Sequence, residues 1–292
     1  MNAGLVLALA AAACYGANIV AARVAGDAGI SGVSLVLYRI APMLLVAGLL
    51  AARTGLRVPQ GERRTVALLG LATVGVGTAY FSAIAFVPVT VAVVVFYTYP
   101  ALIVLLDPLL GGEPLDPARL GIVALAVAGV ALVVGPAWGG LDPRGLALAG
   151  LASLATAVQF LLAARCPATP VAAKTVWVHL VVLPAVAGIA LASGTLVPPS
   201  ALLDAPLAVA LTVLGYLLGF LLQMAALARA SAVVGGIAFC LEPVVAASTA
   251  ALALGERPGP LQLLGGALVL AAVAANALRG SSAPAPAAEV RP

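Results

Sequence analysis

The chain has 292 residues, of which 64% are hydrophobic and only 8% charged, with a formal net charge of +4. Soluble domains carry about 25% charged residues, and one this apolar would expose patches that water does not tolerate. A soluble enzyme is therefore excluded, and so is a basic nucleic-acid-binding domain, because the few positive charges are scattered between apolar runs.

Ten apolar runs are long enough to cross the bilayer as helices, each with about 20 residues for ~30 Å of hydrocarbon. In order they are 3–23, 33–52, 65–86, 90–110, 117–136, 144–165, 173–193, 206–228, 231–254 and 260–279. The connections are short and hold the turn residues and most of the charge, as in Gly55–Arg64, Gly111–Pro117 and Pro198-Pro199-Ser200. The run Ala3–Ala22 lacks a basic lead-in and is longer than a signal-peptide core, so it reads as the first span. Beyond Gly280 the tail GSSAPAPAAEVRP is rich in Pro, Ala and Ser, and residues 281–292 are expected to be a disordered cytoplasmic tail. Cys14, Cys166 and Cys240 have no metal or redox spacing and read as small apolar fillers.

With the N-terminus in the cytoplasm, ten positive residues fall inside: Arg53, Arg57, Arg63, Arg64, Arg119, Arg165, Lys174, Arg229, Arg279 and Arg291. Three fall outside (Arg23, Arg144 and Arg257), and Arg39 lies within a span. That bias predicts two cytoplasmic termini in a cell inner (plasma) membrane.

The run from Ser231 to Arg279 repeats an earlier one. At a shift of 143, Phe239, Pro243, Gly255, Glu256, Pro260 and Leu263 fall on Phe96, Pro100, Gly112, Glu113, Pro117 and Leu120. Arg165 and Pro184 match Arg23 and Pro42 at 142, and Gly215 matches Gly75 at 140. The fold expected is an all-α polytopic membrane protein of ten transmembrane helices, built as two five-helix repeats over residues 1–138 and 142–280. Five is odd, so the second repeat enters from the opposite side, and the repeats are inverted. Inverted repeats let one site face either side of the membrane, which points to transport.

The ending LALGERPGPLQLLGGALVLAAVAANAL resembles the last helical hairpin of the EamA-type drug/metabolite transporter superfamily. LLGGEPLDPARLGIVALAVAGVALV in the first half is similar to it more loosely, and the resemblance spans essentially the whole chain. It implies a ten-helix transporter of small metabolites, usually an exporter. Within that superfamily YGANIVAAR, the sparse charge and the mid-span Tyr and Trp look most like the YddG-like amino-acid exporters. The small four-helix multidrug proteins carry a coupling glutamate in their first helix. Ala3–Ala22 contains no acid, so that mechanism does not carry over.

Charges inside spans cost of order 2.5–3.5 kcal/mol at mid-helix and mark pathways. Glu242, mid-span, reads as a contact for a substrate amine or a proton-coupling acid, or as half of a structural ion pair with Arg39. Its repeat counterpart is Tyr99. Arg39, in the outer third of its span, fits a substrate carboxylate, or snorkels outward, or ties two helices together. His179 reads as a hydrogen bond across helices or a polar pocket wall, and Trp177 as an interfacial anchor or a pocket residue. Asn18, Tyr80, Tyr97, Tyr99, Gln159 and Tyr216 must find polar partners, so most should face inward. On an unbroken helix Tyr97 and Tyr99 point about 200° apart, which selects Tyr99 for the pocket. Pro100 and Pro243, at matching positions, read as hinges. Gly112 and Gly255 read as helix stops, Gly215 and Gly219 as a GxxxG packing face, and Asp107 as a solvated helix end or a gate.

No HExxH, P-loop or GxSxG pattern is present, and no cofactor or metal is expected. The expected partners are a small-molecule substrate, an amino acid or similar metabolite, and the lipid bilayer, with a monomer as the working unit. The expected function is export of small metabolites by alternating access, with a drug or nucleoside-type exporter, or a membrane-embedded enzyme or scaffold, as alternatives.

Overall fold

The computed structural model describes residues 2–84, 86–87, 89–135 and 141–281. The expected ends of the fifth span and the first repeat, at 136 and 138, and the tail 282–292 lie outside the described residues. The first half contains α1 (Ala3–Asp27), α2 (Gly32–Thr54), α3 (Arg63–Ala83), α4 (Val89–Phe96), α5 (Tyr99–Leu106) and α6 (Pro117–Val134). The second contains α7 (Pro143–Ala164), α8 (Val171–Ala192), α9 (Pro206–Leu227), α10 (Ala232–Phe239), α11 (Glu242–Leu254) and α12 (Pro260–Ser281).

The helix starts follow local chemistry. Asn2, Ser31, Asp116, Asp142 and Ser231 accept a hydrogen bond from the first turn of the helix that follows each. Proline stands in the first turn of α6, α7 and α9, where its missing N–H costs nothing. At Asp142 the Arg144 guanidinium and backbone N–H hold the carboxyl below its usual range. Left-handed Gly111, Gly135 and Gly255 end the segments before them. The first of these was expected at Gly112. Gly112 instead lies against the Asp107 carboxylate, so the cap falls one residue earlier.

Among the described residues, nine helical segments are long and apolar enough to cross a membrane, with α4–α5 and α10–α11 counted as one each. The 21-residue α3 is not among the nine, and it occupies the place expected for the third span. Leu252, Leu278, Leu263 and Leu45 are among the leucines left on the surface, Leu252 at 90% exposure. That apolar coat suits lipid and not water.

The two halves interleave. α1 packs along α9 and α11, and its counterpart α7 packs along α3 and α5. α2 lies on α8, and α6 on α12. The packing is unchanged in outline when the halves are exchanged. Close approach depends on small residues, as it must where hydrocarbon offers helices no hydrophobic drive to associate. Gly129 and Gly265 let α6 and α12 meet backbone to backbone. The GxxxG pair is a packing face as read: Gly215 receives Asn18, and Gly219 receives the Tyr15 ring.

Loops stitch the two ends of the bundle. At one end Arg165 pairs with Asp107 at 2.8 Å, Arg119 with Glu113, and Arg279 with Asp116. At the other, Arg23 pairs with Glu256 at 2.7 Å, and Tyr38 donates to the Val197 carbonyl at 2.6 Å. Asp107 is thus not a solvated helix end. It is 5% exposed and accepts from the Glu113 N–H as well as from Arg165.

A Cβ at Gly16 would lie 2.5 Å from the Glu242 carbonyl oxygen and 2.7 Å from Val245. Gly16→Ala should therefore destabilise the fold by about 1–3 kcal/mol, as overpacking does. Gly26→Ala, on the same helix with open space around it, should be neutral or stabilising by up to about 1 kcal/mol. Thermal unfolding of the two variants in detergent checks the difference.

Candidate functional site

The site grows from two broken helices. Proline lacks an N–H, and its ring clashes with the carbonyl four residues back. For Pro100 that residue is Phe96, and for Pro243 it is Phe239, the last residues of α4 and α10. What reads in sequence as two hinges is in each case a two-residue break in the regular helix, with Thr98, Cys240 and Leu241 still in right-handed backbone. The breaks consist of Tyr97-Thr98 and Cys240-Leu241. Each keeps its donors satisfied by short local bonds: Tyr97 N–H to Val93 O at 2.9 Å, and Leu241 N–H to Ala238 O at 3.1 Å. The Thr98 hydroxyl also meets Ser153 of α7 at 2.9 Å.

Beside the breaks lies a cavity of about 220 Å³. Helices α1, α2, α3, α7, α8 and α9 enclose it, and Phe96, Tyr99, Phe239 and Glu242 enter from the breaks. Phe96 and Phe239 are repeat counterparts, as are Tyr99 and Glu242. Rings make one wall: Tyr99 stands 5.4 Å from Phe160, and Phe160 stands 5.1 Å from Phe239, edge to face. A polar chain makes another. The Tyr15 hydroxyl donates to Gln223 at 3.1 Å, Gln223 donates to Gln159 at 3.3 Å, and Gln159 donates to Thr73 at 2.9 Å.

Two charged side chains face this space. The Arg39 guanidinium lies 3.7 Å from the centre of the Tyr216 ring, a cation–π contact. The Glu242 carboxylate lies against the Tyr97 hydroxyl. No ion pair joins Arg39 to Glu242, so that structural alternative is set aside. Arg39 does not snorkel away, either. Its Nε is buried without a hydrogen-bond partner among the described residues, and so is Asn18 Oδ1. Buried polar groups are rarely left unmatched, so these two stand out.

Of the residues singled out by sequence, Asn18, Arg39, Tyr99, Gln159, Tyr216 and Glu242 line the cavity together. Three others do not. His179 sits one layer back, fully buried, with Nε2 2.8 Å from the Tyr216 hydroxyl and Nδ1 2.8 Å from Thr175 O. It positions Tyr216 and is not a pocket wall. Trp177 is 45% exposed on the far side of α8 and donates to Leu56 O. Tyr80 packs edge-on against Phe96, 5.3 Å away, behind the lining. Helix geometry selects correctly between Tyr97 and Tyr99: Tyr99 lines the cavity, and Tyr97 lies behind Glu242, with the two rings 5.9 Å apart.

Sequence reading missed Tyr15, Thr73, Thr156 and Gln223. Gln223 carried a usable signal, since an amide inside an apolar span needs a partner just as Gln159 does. Tyr15 carried one too, inside the YGANIVAAR stretch. The hydroxyls of Thr73 and Thr156 bond back to Leu69 O and Ala152 O and could not be told from ordinary helical threonines. Among the described residues, no three His, Cys, Asp or Glu side chains group in a way that could hold a metal ion.

The EamA-like transporter family profile matches this chain twice, over residues 2–135 and 143–278. The chain belongs to the EamA-like transporter family. It is therefore a multi-pass membrane transporter of small molecules, with a solute and the lipid bilayer as its partners. One crystal structure shares the fold, with a TM-score of 0.71 at 22% identity, over 94% of this chain and 99% of the other. No curated protein matches by sequence.

The two faces of Tyr216 in this EamA-like transporter can be separated. Tyr216→Phe keeps the ring under Arg39 but leaves buried His179 Nε2 without its partner. It should cost about 1–3 kcal/mol of stability and leave solute affinity close to the parent's. Tyr216→Leu should lose affinity as well, and unfolding and binding measured on both variants check this.

Proposed function

We propose that the cavity binds a small zwitterion, an amino acid with a neutral or aromatic side chain, and that the protein exports it across the cell inner membrane by alternating access. One observation carries this reading: a guanidinium and a carboxylate face the same small cavity without pairing with each other. Arg39 would take the α-carboxylate, for which its planar fork is suited. Glu242 would take the ammonium, with Asn18 Oδ1 and the Tyr99 hydroxyl as further polar contacts. The substrate side chain would lie on Phe160 and Phe239. A zwitterion needs few charges, which fits a pathway with one residue of each sign.

The size of the cavity supports the amino acid over a drug. At about 220 Å³ it falls below the ~300–1,000 Å³ usual for drug-sized ligands. The ring-lined wall favours one second reading, a nucleoside stacked on Phe160 or Tyr99. The proposal places the protein among the YddG-like amino-acid exporters of the superfamily. It has ten spans in two inverted repeats over 1–138 and 142–280, and both termini in the cytoplasm. α3 is the third span, and Pro100 and Pro243 are the hinges.

Uptake of a radiolabelled amino-acid panel into proteoliposomes tests the substrate class. A neutral amino acid should be carried and should be competed by its analogues but not by nucleosides. Nucleoside competition would favour the second reading. Arg39→Gln should weaken amino-acid binding roughly tenfold or more, the worth of a charged hydrogen bond, while leaving the decarboxylated amine unaffected. Glu242→Gln should abolish the pH dependence of transport if Glu242 exchanges the coupling proton. An unchanged pH profile would leave it as a substrate contact only.

A further inference from the structure

The protein carries a second cavity, of about 460 Å³, that shares no residue with the first. It is a surface groove between the start of α3 and the middle of α8. Arg57 and Arg63 stand at its rim, Val66 and Val181 on its floor, and Trp177 along its side. We propose that this groove binds the phosphate headgroup of an anionic glycerophospholipid, with an acyl chain laid on its apolar floor.

Three observations converge on that ligand. First, the charge is uncompensated. Arg53, Arg57, Arg63 and Arg64 lie within twelve residues, all exposed and none in an ion pair among the described residues. Glu62, the acid between them, is committed elsewhere: it accepts from the Ala168 N–H and the Thr169 hydroxyl. Second, the groove is amphipathic along its length. Two guanidiniums, which fit phosphate oxygens bidentately, give way to valines and then to exposed Leu71 and Leu180 on the flanking helices. A free anion would need the arginines and have no use for that floor. Third, Trp177 is fixed at the boundary. Its indole N–H donates to Leu56 O at 3.1 Å while the ring stays exposed, as for an aromatic side chain at headgroup depth. Basic pockets between spanning helices are where anionic headgroups lodge.

The test counts lipid retained by the purified full-length protein in native mass spectrometry, with phosphatidylglycerol or phosphatidylcholine supplied. Phosphatidylglycerol should be retained in preference. Arg57→Gln with Arg63→Gln should weaken its retention about thirty-fold, the effect of two interfacial arginines. Arg53→Gln with Arg64→Gln, outside the groove, should weaken it by less than about threefold, because screened surface charge acts diffusely. Equal loss in the two double variants, equal retention of the two lipids, or displacement by inorganic phosphate would each overturn the proposal. A second measurement needs no arginine variant. The chain has two tryptophans, so Trp138→Phe leaves Trp177 as the only tryptophan, excited selectively over the tyrosines. Brominated phosphatidylglycerol should quench its fluorescence more than brominated phosphatidylcholine does, and equal quenching would also overturn the assignment.

Discussion

Hydrocarbon offers a peptide group no hydrogen bond. Every backbone N–H and carbonyl within the membrane must be matched by the protein or by water in a cavity. Broken helices are therefore tolerated at only a few places, and here they stand at equivalent points of the two halves. Pro100 and Pro243 cut their helices, and the last residues before each cut, Phe96 and Phe239, turn their rings into the same space. α7 lies against the first break, and α1 against the second. Glycines make that cover possible: α1 reaches the Glu242 backbone only because residue 16 has no side chain. The site thus follows from a backbone constraint before any side chain is considered.

The side chains then line this tolerated defect with rings and unmatched polar atoms. Buried charge usually meets its opposite, because leaving one partner alone is costly. The ion pairs at the Asp107 end of the bundle obey this rule, Asp107 with Arg165 above all. Arg39 and Glu242 do not. Each is held by an aromatic neighbour, Tyr216 for the cation and Tyr97 for the acid, and not by an opposite charge. His179 fixes Tyr216 from behind.

Much of this fold is legible in the sequence, for a physical reason. Bilayer thickness sets helix length, so apolar runs could be located to within a few residues, and the duplicated Phe-x-x-x-Pro spacing marked both breaks. Which residues share the cavity was harder to read. Spans that are apolar all round have no polar face, so periodicity cannot say which way a residue points. Tyr80 and Tyr99 look alike in sequence, yet one lies behind Phe96 and the other lines the cavity. Helix geometry could still choose between Tyr97 and Tyr99, two residues apart, and only Tyr99 lines the cavity. Asp107 was misread because its partner, Arg165, lies in the other half of the chain.

The two halves share a plan but differ in how tightly they close. All eight residues of α10 are buried, packed among α5, α7, α9 and α12. In α4, its counterpart, only Val91, Ala92 and Val94 are buried, and Val89 is 55% exposed. The difference has a direction. α10 approaches the break from the bundle end that holds Asp107, Arg165 and the arginine cluster, and α4 approaches from the opposite end. A solute in the central cavity therefore meets dense packing toward the first end and looser packing toward the second. On the alternating-access reading proposed above, the two halves would exchange these roles: α4 would close as α10 loosens, pivoting at Pro100 and Pro243. The charged cavity between the breaks would then face first one side and then the other, with its lining side chains unchanged.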